Sequence, residues 1–72
     1  MELKIKLGLR VKELRLKGKI TQQGLADSTG LDRTFISHIE SGKRNIALET
    51  LEKLIIGLDT TFKSFFSSNT FS

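Results

Sequence analysis

Residues 22–41 decide the fold: Gln22-Gln23-Gly24-Leu25-Ala26-Asp27-Ser28-Thr29-Gly30-Leu31-Asp32-Arg33-Thr34-Phe35-Ile36-Ser37-His38-Ile39-Glu40-Ser41. The spacing predicts two short helices joined by a turn of three to four residues. Thr21 is placed to cap the first helix, about 22–28. The reciprocal capping box is missing, because position 24 is Gly rather than Glu or Gln. Leu25 and Ala26 point inward, and Ala26 is small enough for two helices to cross over it. Gly30 tolerates the positive φ that such a turn needs. Asp32 is placed to cap the second helix, about 33–41, with Phe35, Ile36 and Ile39 on its apolar side. Leu31, Ile36 and Ile39 would lock it onto the first helix. The remaining face, Asp32, Arg33, Thr34, Ser37, His38 and Ser41, is polar throughout. Such a face, presented from its N-terminal end, suits the major groove of DNA. Arg forks onto guanine O6 and N7, and Thr meets a thymine methyl or hydrogen-bonds a base edge.

Upstream, Leu3, Ile5, Leu7, Leu9 and Val11 alternate with polar or small residues, which is a strand period. The same stretch offers Leu3, Leu7, Val11 and Leu14 as one helical stripe. Lys, Arg, Leu and Glu favour helix, against a cost of roughly 1 kcal/mol for Gly8. A helix over about 3–17 is predicted, stopped at Lys17-Gly18-Lys19 with Gly18 as the left-handed residue. Downstream, Ser41-Gly42 ends the motif and Lys43-Arg44-Asn45 forms a polar connection. A fourth helix, about 47–57, repeats Leu48, Leu51, Leu54, Ile55 and Leu58 at spacings of three and four. Asp59-Thr60-Thr61 restarts the chain into a short fifth helix bearing Phe62, Phe65 and Phe66. The expected architecture is an all-α, five-helix domain over residues 1–66, followed by a mobile polar tail over residues 67–72.

Composition narrows the function. The chain has 72 residues, 12 Lys plus Arg against 8 Asp plus Glu, a net charge of +4, one His and no Cys. That length suits one domain. The absence of Cys excludes disulfides and Cys-based metal sites, and one His excludes a multi-His site. No apolar run approaches the ~18 residues of a membrane span. Met1 to Lys6 alternates charge and hydrophobe, unlike the core of a signal peptide. A cytoplasmic protein is expected, with no cofactor, metal or small-molecule ligand. No nucleophile–base pair supports an enzyme. Lys4, Lys6, Arg10, Lys12, Arg15, Lys17 and Lys19 face only Glu13 within residues 4–19, and Lys43 and Arg44 form a second basic group. This excess attracts a phosphate backbone or an anionic membrane; it equally describes a solvated helix face. A membrane-surface helix is the weaker reading, because its apolar residues fit a core and the chain has neither Trp nor Tyr.

In register, these pieces resemble the lambda Cro/CI-type helix-turn-helix regulators over about residues 7–66. The resemblance rests on Arg10-Val11-Lys12-Glu13-Leu14-Arg15, Thr21 to Ala26, Gly30-Leu31, Phe35 to Arg44 and Leu48 to Leu54. Arg33 to Ser37 followed by Gly42-Lys43-Arg44-Asn45-Ile46 is similar to the controller proteins of restriction–modification systems. The resemblance implies base reading by Arg33, Thr34, Ser37 and His38. It implies backbone contact by Gln22, Gln23, Phe35, Lys43, Arg44 and Asn45. It further implies a homodimer on a pseudo-palindromic double-stranded operator, with an interface drawn from Leu58, Phe62, Phe65 and Phe66. The controller reading adds autoregulation and a surface that touches RNA polymerase. Three positions depart from the pattern. Ile46 replaces a frequent Pro, Ala47 a frequent capping Ser, and His38 an acid common among controllers. A phage-type repressor, an antitoxin, or a module that binds a partner such as a toxin are the alternatives. Glu40 reads as a structural carboxylate linked to the basic segment.

Overall fold

The computed structural model describes residues 2–72, so Met1, the first residue of the expected domain, lies outside the described residues. Helices α1 (Leu3–Lys17), α2 (Gln22–Thr29), α3 (Arg33–Glu40), α4 (Leu48–Gly57) and α5 (Phe62–Phe66) precede a 3₁₀ turn at Asn69–Phe71. Among the described residues there is no strand. The helical stripe therefore prevails over the strand alternation in the first segment. Leu7 and Val11 are buried and Leu14 is half-buried, whereas Leu9 is exposed; Leu3, at the start of the stripe, is exposed too.

Three helices end on Schellman closures, in which a left-handed residue lets two backbone N–H groups reach back to orphan carbonyls. In α1 the left-handed residue is Lys19 (φ 58), not Gly18 (φ −83). Lys19 N donates to Leu16 O and Ile20 N to Arg15 O, which places Gly18 one position too early for the role expected of it. Gly42 (φ 76) closes α3 and Asp59 (φ 55) closes α4 by the same pair of bonds. Gly30 is left-handed (φ 74) as the turn requires. At the other ends, Thr21 Oγ1 accepts from Gly24 N at 2.9 Å. Asp32 occupies the N-cap of α3 but makes no capping side-chain bond. Ala47 has no side chain able to cap α4.

Val11, Leu25, Ile36, Ile39, Leu54 and Phe65 form the fully buried centre of the core. Leu51, Ile55 and Leu58 join it, but Leu48 does not: it is the first residue of α4 and is 78% exposed. Two of the side chains expected at a dimer surface, Leu58 and Phe65, are buried within the monomer. They complete the core of a chain too short to do without them. The tail also differs from expectation. Ser68 Oγ accepts from Thr70 N, and the half-buried Phe71 ring lies 4.9 Å from Phe66 and 6.0 Å from Phe65. The Phe71 ring thus packs against α5.

Gly8 explains its own presence inside a helix. A β-carbon there would lie 2.1 Å from the carbonyl oxygen of Ile39, because α1 crosses α3 backbone to backbone. Gly8→Ala gains roughly 1 kcal/mol of helix propensity but forces the helices apart, which typically costs about 1–3 kcal/mol or more in a packed site. Since the contact is with backbone, net destabilisation is expected, with a thermal midpoint lowered by about 8 °C or more. Gly18→Ala, where a β-carbon would approach nothing nearer than 3.4 Å, is expected to leave the midpoint within about 4 °C. Thermal melts of both variants check this, and equal midpoints would refute the crossing argument.

Candidate nucleic-acid interface

The polarity of α3 is two-sided. Ile36 and Ile39 are fully buried, and Leu31 packs beside them from the turn. Arg33 and Thr34 are exposed, and Ser37 and His38 are half-buried. The structure thus gathers the four expected base-reading side chains onto one short helix, with Arg33 and Thr34 at its N-terminal end. The expected backbone-contact residues are split between the start of α2 and the α3–α4 connection. Lys43, Arg44 and Asn45 are exposed in that connection. The Arg44 guanidinium lies 4.9 Å from the centre of the Phe35 ring. This cation–π contact ties the connection to α3 and leaves the charge at the surface.

Gln22 and Gln23 behave differently from one another. Gln23 is exposed, and its amide donates to Asp27 Oδ1 at 2.8 Å. Gln22 is half-buried, and its amide donates to Glu40 Oε1 at 3.2 Å. An amide nitrogen has two N–H groups, so Gln22 retains one that this bond does not use.

Behind α3 lies a charged junction. Arg15 Nε donates to Glu40 Oε2 at 2.7 Å, and Nη2 donates to Glu40 Oε1 at 3.0 Å. Arg15 Nη1 donates to the Ile20 carbonyl at 2.9 Å. Both side chains are buried. The hydrogen bond with Glu40 raises the Arg15 pKa above its ordinary value; burial opposes this and charge attraction adds to it. The planar fork thus meets the carboxylate in two-point geometry. Glu40 is structural, as its lone position in the sequence suggested, and Arg15 is removed from the set of cations available to a phosphate. Arg10 is also turned inward, donating to the Phe65 and Ser64 carbonyls at 2.7 and 2.8 Å.

Sequence reasoning overlooked several features. Gly8 and Arg15, seven residues apart, lie on the buried side of α1 with Leu7 and Val11, a side the apolar stripe alone did not assign to them. Ile56 is 71% exposed, out of register with the inward Leu51, Leu54, Ile55 and Leu58. Of the expected dimer side chains, Phe62 (46%) and Phe66 (38%) remain exposed. Among the described residues, no group of three or more His, Cys, Asp or Glu side chains could hold a metal ion. No helix among them is long and apolar enough to cross a membrane.

Residues 11–65 match the helix-turn-helix family HTH_3. The chain is 43% identical to control protein C.MunI of a Mycoplasma species, over 92% of this chain and 90% of that protein. The fold is similar to that of the restriction–modification controller protein C.Esp1396I, solved as a tetramer in complex with its natural 35 base-pair operator. That similarity has a TM-score of 0.87 and 38% identity, covering 92% of this chain and 87% of the other. The controller protein C.AhdI from Aeromonas hydrophila is similar with a TM-score of 0.82 and 36% identity, covering 88% of this chain and 96% of that one.

Removing one member of the Arg15–Glu40 pair leaves the other charge buried and uncompensated, which typically costs about 3–5 kcal/mol. Glu40→Ala is therefore expected to lose about that much stability in urea denaturation. Arg15→Met with Glu40→Leu is expected to lose clearly less than the sum of the single variants. Additive losses would mean that the two side chains do not act as a pair.

Proposed function

The chain belongs to the helix-turn-helix family, and on that premise we propose that it is a sequence-specific DNA-binding transcriptional regulator of the restriction–modification controller type. The observation that carries this reading is the outward face of α3, where Arg33, Thr34, Ser37 and His38 stand over a fully buried Ile36 and Ile39. Similarity to control proteins along nearly the whole chain supports it.

The division of labour follows from the chemistry. Lys43, Arg44 and Asn45, with Gln22 and Gln23, hold the phosphate backbone and set orientation. Arg33, Thr34, Ser37 and His38 meet base edges. The cationic contacts release counterions, so affinity falls as salt rises. One eight-residue helix reads few bases. A homodimer that sets two copies in successive major grooves, about 10 bp or roughly 34 Å apart, doubles the contact. Phe62 and Phe66 of α5 supply exposed apolar surface for that association. Because dimer formation depends on concentration, occupancy rises steeply as the protein accumulates. In this reading the protein works in the cytoplasm on its own promoter. The first dimer favours transcription through contact with RNA polymerase, and a second dimer represses it.

A mobility-shift titration on DNA from upstream of its own gene tests the proposal. A discrete, competitor-resistant shift in two concentration steps is expected. Arg33→Ala with Ser37→Ala should lose operator discrimination by about 10-fold or more, since a good base contact contributes about 1–3 kcal/mol. Arg44→Ala should weaken all sequences alike and lower the salt slope by about 1. A salt-labile smear without discrimination would refute sequence-specific regulation and redirect the search to protein partners.

A further inference from the structure

Arg10 is one of the cations that the sequence places in the basic N-terminal cluster, yet its side chain is only 12% exposed. It reaches across to the far end of the chain. Nε donates to the Phe65 carbonyl at 2.7 Å and Nη2 donates to the Ser64 carbonyl at 2.8 Å. The remaining nitrogen, Nη1, is paired with Glu13 Oε1 on the next turn of α1. All three nitrogens of the guanidinium are thereby engaged.

The receiving helix needs such a partner. α5 is five residues long, Phe62–Phe66. A helix this short does not hold its own shape, and its last carbonyls lack partners within it. A cation at its C-terminal end is favoured by the helix dipole, and a planar fork takes two carbonyls at once. Phe65 anchors the helix inward with no exposed surface, while Phe62 and Phe66 point outward. The buried Phe65 sets which face of α5 turns inward and Phe71 touches Phe66, but apolar contacts leave a small roll about the helix axis. Two directed hydrogen bonds narrow that roll. Any roll of α5 would carry both outward rings with it.

We propose that Arg10, oriented by Glu13, is a positioning residue that fixes the rotation of α5 and so sets the apolar surface on which a second copy docks. This rests on the reading that the protein dimerises through α5. Lysine retains the charge but not the fork, so Arg10→Lys separates the two. In sedimentation equilibrium, Arg10→Lys should raise the dimer dissociation constant about tenfold relative to the unaltered protein. Its helical circular dichroism should be unchanged. Joining two copies of Arg10→Lys by a flexible linker should restore half-saturation on its own upstream DNA to the value of two linked unaltered copies. A merely structural role would not produce that rescue.

A dissociation constant within twofold of the unaltered protein, or no rescue by linking, overturns the proposal. If the unaltered protein stays monomeric at every concentration, the dimer reading itself fails and takes this proposal with it. Should Arg10→Lys lose helical content, the exposed Glu13→Gln replaces it as the probe. That variant should weaken the dimer about threefold, and an unchanged constant overturns the proposal.

Discussion

The position of α3 depends on how closely α1 can approach its C-terminal end. At Gly8 the two backbones come so near that the missing β-carbon would fall 2.1 Å from the Ile39 carbonyl oxygen. Two turns further along α1, the Arg15 fork closes on Glu40, the last residue of α3. These contacts do different things. Apolar burial of Val11, Ile36 and Ile39 draws the helices together without choosing an angle. The glycine sets the distance, and the two-point ion pair sets the register. Gln22 joins Glu40 from the start of α2, so three helices meet at one carboxylate. A base-reading helix has to be held to within about 0.5 Å and 10–20° to be selective. The junction behind α3 fastens it to α1 and α2 and leaves its outward face unoccupied.

The same geometry redistributes the charge. Counted along the chain, the N-terminal segment is the most basic part. In the fold, Arg10 and Arg15 turn inward, onto α5 and onto Glu40. The lysines among residues 12–19, Lys12, Lys17 and Lys19, are all exposed. This follows from side-chain chemistry. A guanidinium is weakly hydrated and satisfies several acceptors in one plane, so it tolerates burial among carbonyls and a carboxylate. An ammonium is strongly hydrated and remains in water.

Much of this was legible in the sequence. Helix boundaries followed from the 3.6-residue period, Thr21 and Gly30, and the two-sided pattern of α3 separated its core side from its polar side. The failures have physical causes. Gly18 looked like a left-handed stop because glycine adopts that conformation most easily, yet Lys19 takes it, since the bond pattern at the end of α1 selects the position. Asp32 looked like a cap by type, and it occupies the N-cap, but its side chain makes no capping bond. Leu58 and Phe65 looked available for an interface because periodicity does not say how many apolar residues a small core requires. The tail reads as polar and mobile, and its one apolar side chain, Phe71, lies against Phe65 and Phe66. Gly8 read only as a cost, since its benefit lies in a contact with Ile39, distant in sequence.

A dimer reading and a marginal domain are connected by α5. Five residues cannot form a stable helix alone, so α5 exists because Phe65 is buried, Thr61 Oγ1 accepts from Ser64 N, and Arg10 takes two of its carbonyls. These contacts come from the core, the preceding turn and α1. The surface formed by Phe62 and Phe66 is therefore a property of the whole fold rather than of its own segment. α1 in turn supports α3 at Gly8 and Arg15. One helix thus supports both the polar outward face of α3 and the exposed Phe62 and Phe66 of α5. In a two-fold complex, the distance between recognition helices is fixed by the interface, and the angle of each is fixed by its own domain. Sharing α1 between the two supports would link that distance to that angle in the proposed dimer.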